Sequence, residues 1–283
     1  ITISSMKYFI SLTLFCSLSI AAICQNLHLN LSIGAANYYG DLQSKRYTFK
    51  QAKAAFGIGL SYELSDKLIA RAGISFAKVS GDDKLNPQTQ IRNLNFTSSI
   101  AEVEIGAEYF LLNPYENSIT PYIFGGFAAF HFNPYTFDTS GTKFYLQPLS
   151  TEGQGFYQNR KPYNLTQFAL PFGGGIKLVL SENISVGIEL GLRKLFTDYL
   201  DDVSTTYVDP NLLLANRGAK ALELAYRGNE LKNGLPYQAG ENRGNAKYKD
   251  WYYFTGITKS IRLGSSNKGE GRYRSKGGCP TRS

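Results

Sequence analysis

Apolar and polar residues change places at every step along much of this chain. In residues 56–64, Phe56, Ile58, Leu60, Tyr62 and Leu64 share one face, and Gly57, Gly59, Ser61 and Glu63 share the other. After Ser65-Asp66-Lys67 the pattern resumes, with Leu68, Ala70, Ala72, Ile74 and Phe76 opposite Arg71, Gly73 and Ser75. A period of two is the repeat of a strand, so the intervening triplet reads as a hairpin turn. A second such pair sets Phe168, Leu170, Phe172, Ile176, Leu178 and Leu180 against Lys177, turns at Ser181-Glu182-Asn183, and then sets Ile184, Val186, Ile188, Leu190 and Leu192 against Ser185, Gly187, Glu189 and Arg193. Leu27, Leu29, Leu31 and Ile33 alternate with His28, Asn30 and Ser32, and Ala101, Val103, Ile105, Ala107, Tyr109 and Leu111 alternate with Glu102, Glu104, Gly106 and Glu108. Residues 122–132 are aromatic on both faces, and an aromatic stretch from Trp251 to Leu263 closes the set.

The pattern predicts eight strands, at 27–39, 54–64, 68–79, 97–111, 120–132, 168–180, 184–196 and 248–263. Long connections (40–53, 80–96, 133–167, 197–247) alternate with short ones (65–67, 112–119, 181–183). An even strand count with long loops on one side and tight turns on the other belongs to outer-membrane barrels. The expected fold is therefore all-β: an eight-stranded antiparallel up-and-down transmembrane β-barrel with long extracellular loops, over residues 25–263. Both termini then lie in the periplasm. A soluble sandwich also alternates, but the two classes of connection length favour the barrel.

The ends of the sequence add a compartment. Lys7, the apolar run Tyr8–Ile20 and the small-residue end Ala21-Ala22-Ile23-Cys24 read as a signal peptide over 1–24, cleaved after Cys24. Acylation of Cys24 is the weaker reading, because Ile23 is bulky where a small residue is wanted. No later apolar run is long enough for a transmembrane helix.

At eight strands a barrel interior is filled by side chains. The inward list holds Glu63, Arg71, Glu102, Glu104, Glu108, Lys177, Glu189 and Arg193, which should pair, since an unpaired buried charge is costly. A plug of ion pairs is expected in preference to an ion path. The formal charge of the chain is +8. Much of it lies in residues 264–283, a polar, Gly-rich, short disordered tail with Lys268, Arg272, Arg274, Lys276 and Arg282 against Glu270. The body is nearly balanced, which argues against a nucleic-acid partner. Cys279 has no intramolecular partner once the signal is gone, so an intermolecular disulfide and a free thiol both stay open. Lys268, Arg272, Arg274, Lys276 and Cys279 are the candidate partner-binding residues, on a periplasmic tail.

Catalytic chemistry has few candidates. The chain has two histidines, His28 and His131, and neither Gly-x-Ser-x-Gly nor Cys-x-x-Cys. No catalytic, cofactor-binding or metal-binding residue is expected, and the protein reads as a non-enzyme without cofactors. Asp198, Asp201, Asp202 and Asp209 lack EF-hand spacing and are expected on a solvated loop. Residues 211–226 suggest one helix or two short ones split near Gly218, capping the barrel mouth.

Four stretches together resemble a known family: Asn37-Tyr38-Tyr39-Gly40-Asp41-Leu42, Pro121-Tyr122-Ile123-Phe124-Gly125-Gly126, Leu170-Pro171-Phe172-Gly173-Gly174-Gly175-Ile176, and the run from Leu192 through Thr197-Asp198-Tyr199-Leu200-Asp201-Asp202-Val203-Ser204 to Val208. The family is the PorG-type outer-membrane barrel of the Bacteroidota type IX secretion system, and the resemblance covers about residues 25–263. It implies a structural anchor that ties a periplasmic ring of lipoprotein and other secretion-system subunits to the outer membrane, in a machine that exports proteins including gliding-motility adhesins. It carries over no catalytic residues. The alternative function is a small outer-membrane channel or transporter barrel for small solutes.

Overall fold

A computed structural model describes residues 26–43, 45, 48–232, 234 and 237–264. Its strands are β1 (Leu27–Tyr39), β2 (Lys53–Glu63), β3 (Leu68–Asp82), β4 (Asn95–Phe110), β5 (Ile119–Phe137), β6 (Lys143–Tyr145), β7 (Thr166–Ser181), β8 (Ile184–Leu195) and β9 (Trp251–Arg262). The sheet closes on itself: β1 pairs with β9 from His28↔Arg262 to Tyr39↔Trp251, and β4 pairs with β5. All these pairings are antiparallel. Closure leaves the barrel strands without a free edge. β6 stands outside the closed ring and pairs only with the overhang of β5, Tyr135 to Phe137. The barrel proper is therefore eight-stranded.

The period-two pattern sets which side chains meet lipid. Ile33, Ile105, Phe127, Phe168 and Ile188 are each more than 60 % exposed. In water such a band would be an aggregation surface; it has the character of the apolar girdle of a transmembrane barrel. The wall is drawn in by facing glycines. Gly34 opposes Gly256 and Gly106 opposes Gly126, and a Cβ on Gly34 or Gly126 would fall 2.1 Å from a carbonyl oxygen of the neighbouring strand.

Short turns are held by their own side chains: Ser65 Oγ accepts from the amide of Leu68 (3.1 Å), and Asn113 Oδ1 from that of Tyr115 (3.0 Å). Both described chain ends lie at this short-turn end, where the Leu263 amide donates to the Leu27 carbonyl (2.8 Å). At the other end the strands outrun the sequence pattern: β3 reaches Asp82 and β5 reaches Phe137. These extensions bury an aromatic core of Tyr38, Phe96, Phe130, Phe132, Tyr163 and Tyr252 inside the mouth. The long loop after β8 carries two helices, α1 (Pro210–Arg217) and α2 (Ala219–Ala225), separated by Gly218 at φ +83°; Leu224 of α2 joins this core, and Leu213 of α1 packs in a second cluster with Val208, Ala221 and Ala225. Asp209 caps α1, its carboxylate accepting from the amides of Asn211 and Leu212. Residues 1–25 and 265–283 lie outside the described residues, and with them the signal segment, Lys268, Arg272, Arg274, Lys276 and Cys279.

Candidate functional site: the filled lumen and its lid

The inward positions of the strands stack charged groups in layers along the barrel axis. At the short-turn end Glu63 takes Arg262 Nη2 (2.6 Å) and Tyr115 OH (2.6 Å), with His28 Nε2 at 2.9 Å. Further in, Arg71 is the hub. Its guanidinium donates to Glu104 (2.7 Å), Glu108 (3.2 Å) and Glu189 (3.0 Å), with the Phe124 ring 4.4 Å from its centre. Lys177 Nζ donates to the second oxygen of Glu108 (2.5 Å), and Tyr122 OH to Glu189 (2.8 Å). Above, Arg193 Nη2 bridges Glu102 and Glu104, each at 3.1 Å, and Tyr252 OH also donates to Glu102.

Seven of the eight charged lumen residues singled out from sequence thus form one connected cluster: Arg71, Lys177 and Arg193 with Glu102, Glu104, Glu108 and Glu189. Glu63 does not join it. It sits one layer nearer the short turns, level with Ile69 of β3, and pairs across that mouth with Arg262, which alternation alone did not single out; a cavity of about 50 Å³ lies beside the pair. Tyr122 and Tyr252 were also missed, because an aromatic strand gives no sign of which hydroxyls will find a carboxylate, and Tyr115 was missed because it lies in the turn between β4 and β5 and reaches Glu63 from outside any strand pattern.

One cavity of about 80 Å³ remains between this cluster and the opposite wall, where Ser32, Gly57, Gly59, Gly73, Ser75 and Thr258 leave space. It is large enough for several waters. Arg193 Nη1, on its margin, has no partner among the described residues.

The long-loop end carries the largest departure from the sequence reading. Asp198, Asp201 and Asp202, expected on a solvated loop, are 3 %, 1 % and 0 % exposed. Asp201 ties the 196–250 segment to β1 and Asp202 ties it to the 146–165 loop, while neither carboxylate oxygen of Asp198 has a hydrogen-bond partner among the described residues. Tyr38, near the end of β1, donates to Asp201 (2.5 Å) and also reaches Asp250 (3.2 Å). Asp202 accepts from Thr151 (2.5 Å) and Tyr163 (2.7 Å). Glu152 gathers the amides of Ser204 and Thr205, the Thr205 hydroxyl (2.6 Å) and Arg243 Nη1 (3.1 Å). A loop dense in Asp, Ser and Thr looks solvated in sequence because its partners, Glu152, Tyr163, Arg243 and Asp250, are distant along the chain. Among the described residues no three histidine, cysteine or acidic side chains converge to hold a metal.

Burial and the crowding of carboxylates shift the titration of this lid. Burial pushes Asp198 up to about 7, with Asp41 adding repulsion. Burial raises Asp202 to about 6 against the pull of Arg243. Asp201 and Asp250 are also raised, by burial first and then by neighbouring carboxylates. The folded lid therefore keeps protons that the opened chain gives up between about pH 4 and pH 7. Its stability is greatest at the acid end of that window and falls as pH rises through it. With the intrinsic base-catalysed rate divided out, amide protection in the lid is expected to be lower at pH 8 than at pH 5, and Asp198→Asn is expected to shrink the difference. Greater protection at pH 8 would show the carboxylates ionised and compensated.

The model of a family described as a domain of unknown function, DUF6089, matches residues 6–212, well over half of the chain. The chain belongs to that family. No curated protein matches this DUF6089 member. Among solved structures, Neisserial surface protein A from Neisseria is similar at 8 % identity, covering 83 % of this chain and 96 % of that one with a TM-score of 0.41. The outer membrane protein OprG from Pseudomonas aeruginosa gives 11 %, 84 % and 97 %, and 0.40. Ail, the attachment invasion locus protein of Yersinia pestis, crystallised with the heparin analogue sucrose octasulfate, gives 8 %, 83 % and 98 %, and 0.38. At such identities the likeness is one of fold.

Proposed function

We propose that this DUF6089 protein is a non-enzymatic outer-membrane barrel of a protein-secretion machine of the type IX kind, anchoring a periplasmic ring complex to the outer membrane. The observation that carries the reading is the lumen, filled in mid-barrel by the Arg71 cluster, spanned at one mouth by the Glu63–Arg262 pair beside a second cavity of about 50 Å³, and covered at the other by the Asp201–Asp202 lid. A barrel closed along its axis has its lipid belt, loops and turns left to work with. The short-turn end, where both described chain ends meet, is the natural periplasmic face. The basic tail with Lys268, Arg272, Arg274, Lys276 and Cys279 would then reach an acidic partner in the periplasm, with charge speeding the encounter and the thiol available for a disulfide.

Affinity recovery from native membranes tests this. The full chain is expected to bring down periplasmic ring subunits, and a chain ending at Leu263 to fold but recover much less of them. Equal recovery would move the contact from the tail to the short turns, and recovery of no periplasmic subunit by either would remove the anchor.

The cavity beside Ser32 and Gly57 favours a second reading, a small-solute channel. Planar-bilayer recordings separate the two. The refolded chain is expected to stay closed, because an eight-strand lumen is occupied by side chains; stable ion-selective openings would support the channel.

A further inference from the structure

We infer that the long-loop rim of the barrel, from β3 round to β8, is a docking surface for the phosphate-bearing lipid headgroups of the outer leaflet. The inference rests on the outer-membrane placement proposed above, and not on the anchoring role.

The strands β3, β2, β1, β9 and β8 are consecutive neighbours in the sheet. Along this arc the rim exposes lysines. Lys78 on β3 and Lys194 on β8 occupy outward register positions, the same side as Phe76 and Leu192. Lys53 opens β2 at the rim edge, on the register side of Ala55 and Gly57; Lys50 shortly precedes it and Lys249 shortly precedes β9; all five are exposed. None of the five is in an ion pair among the described residues. The nearby carboxylate of Asp82 is turned to cap the amide of Lys84 (2.9 Å).

Aromatic rings accompany the amines. Phe56 stacks on Phe76 across β2 and β3 (5.4 Å), and Phe172 meets Trp251 edge-on across β7 and β9 (6.0 Å). Lys194 is in register with Trp251. Aromatic belts sit at headgroup level, and lysine stems lie along apolar surface while the ammonium reaches out. The ammonium groups of Lys78 and Lys194, the two on outward register positions, therefore stand where lipid phosphates stand, and a lysine is a compact point charge for phosphate. Round the rest of the rim the upper parts of β4 and β7 present Ser99 and Thr166, and the exposed Lys143 of β6 lies against the Tyr135 and Tyr145 rings (3.8 and 4.5 Å). The other end of the barrel mixes signs, exposing Asp66 and Glu116 beside Lys67.

The test uses the full chain refolded into phosphatidylcholine vesicles that contain either bisphosphorylated lipid A or its dephosphorylated form at equal mole fraction. After extraction in mild detergent, the lipid retained by the protein is measured by mass spectrometry. The native chain is expected to retain on the order of tenfold more of the phosphorylated form, since each interfacial lysine contributes several-fold. Lys53→Gln, Lys78→Gln, Lys194→Gln and Lys249→Gln combined should bring the ratio close to unity, and so should high salt. Lys161→Gln with Lys232→Gln, exposed lysines of the loops, should leave it unchanged. Equal retention of both lipids by the native chain, or an undiminished ratio in the fourfold variant, overturns the inference. Heat-shifted gel migration in the same vesicles reports insertion separately. An inserted barrel without preference defeats the lipid surface alone, and a chain that never inserts defeats the membrane reading as well.

Discussion

Arg71→Leu is expected to destabilise the barrel by about 3–5 kcal/mol, the usual cost of removing one partner from a buried ion pair. The size follows from connectivity. Arg71 bonds to Glu104, Glu108 and Glu189 at once. Leucine would leave Glu189 with the Tyr122 hydroxyl, Glu104 with Arg193, and Glu108 with Lys177. Four carboxylates would then face two cations in a confined space. Urea unfolding in lipid vesicles, followed through the single tryptophan, Trp251, measures the loss. Arg71→Lys should recover part of it, because the charge returns without the fork that reaches three acids. A loss under about 1 kcal/mol would mean that water in the adjoining cavity screens the carboxylates, and that the cluster is not dry.

Ile188→Arg should cost about 2–4 kcal/mol, the penalty for arginine facing lipid at the midplane of a barrel. Ile188 is 65 % exposed, lies in mid-strand and is in register with Ile176 on one side and Ile257 on the other. Its neighbours are therefore apolar, and the guanidinium would find no acceptor without snorkelling to an interface. Ser32→Thr is the control. Ser32 borders the cavity, where a methyl has space, and should move stability by no more than about 0.5 kcal/mol. If the control were the more damaging of the two, the inward and outward faces would be exchanged.

Gly187 looks the simpler control from alternation, being a lumen-facing neighbour of Ile188. The backbone says otherwise. A Cβ there would meet the Ile176 carbonyl oxygen at 2.7 Å and the side chains of Lys177 and Thr258 at 3.1 Å. Facing is a property of the strand, whereas room is a property of the two strands beside it and of the side chains inside the ring.

The same division runs through the whole molecule. Strand identity, hairpin order, the two classes of connection and the lipid-facing set could be read from residues 27–263 directly, because period-two alternation and turn chemistry are local and a bilayer rewards one face of every strand alike. That Glu102, Glu104, Glu108, Glu189, Arg71, Lys177 and Arg193 point inward was legible for that reason. Which of them touch was not. Contact across a lumen depends on the stagger between strands far apart in sequence, as Arg193 on β8 and Glu102 on β4 show. The lid was the least legible part. Asp198, Asp201 and Asp202 belong by composition to a wet loop, and only closure of the barrel brings Tyr38, Glu152, Tyr163, Arg243 and Asp250 around them. Local sequence therefore determined the strands and their sides, and tertiary structure decided the partners of the paired lumen charges, since pairing in a closed barrel is set by register and shear and not by neighbourhood in the chain.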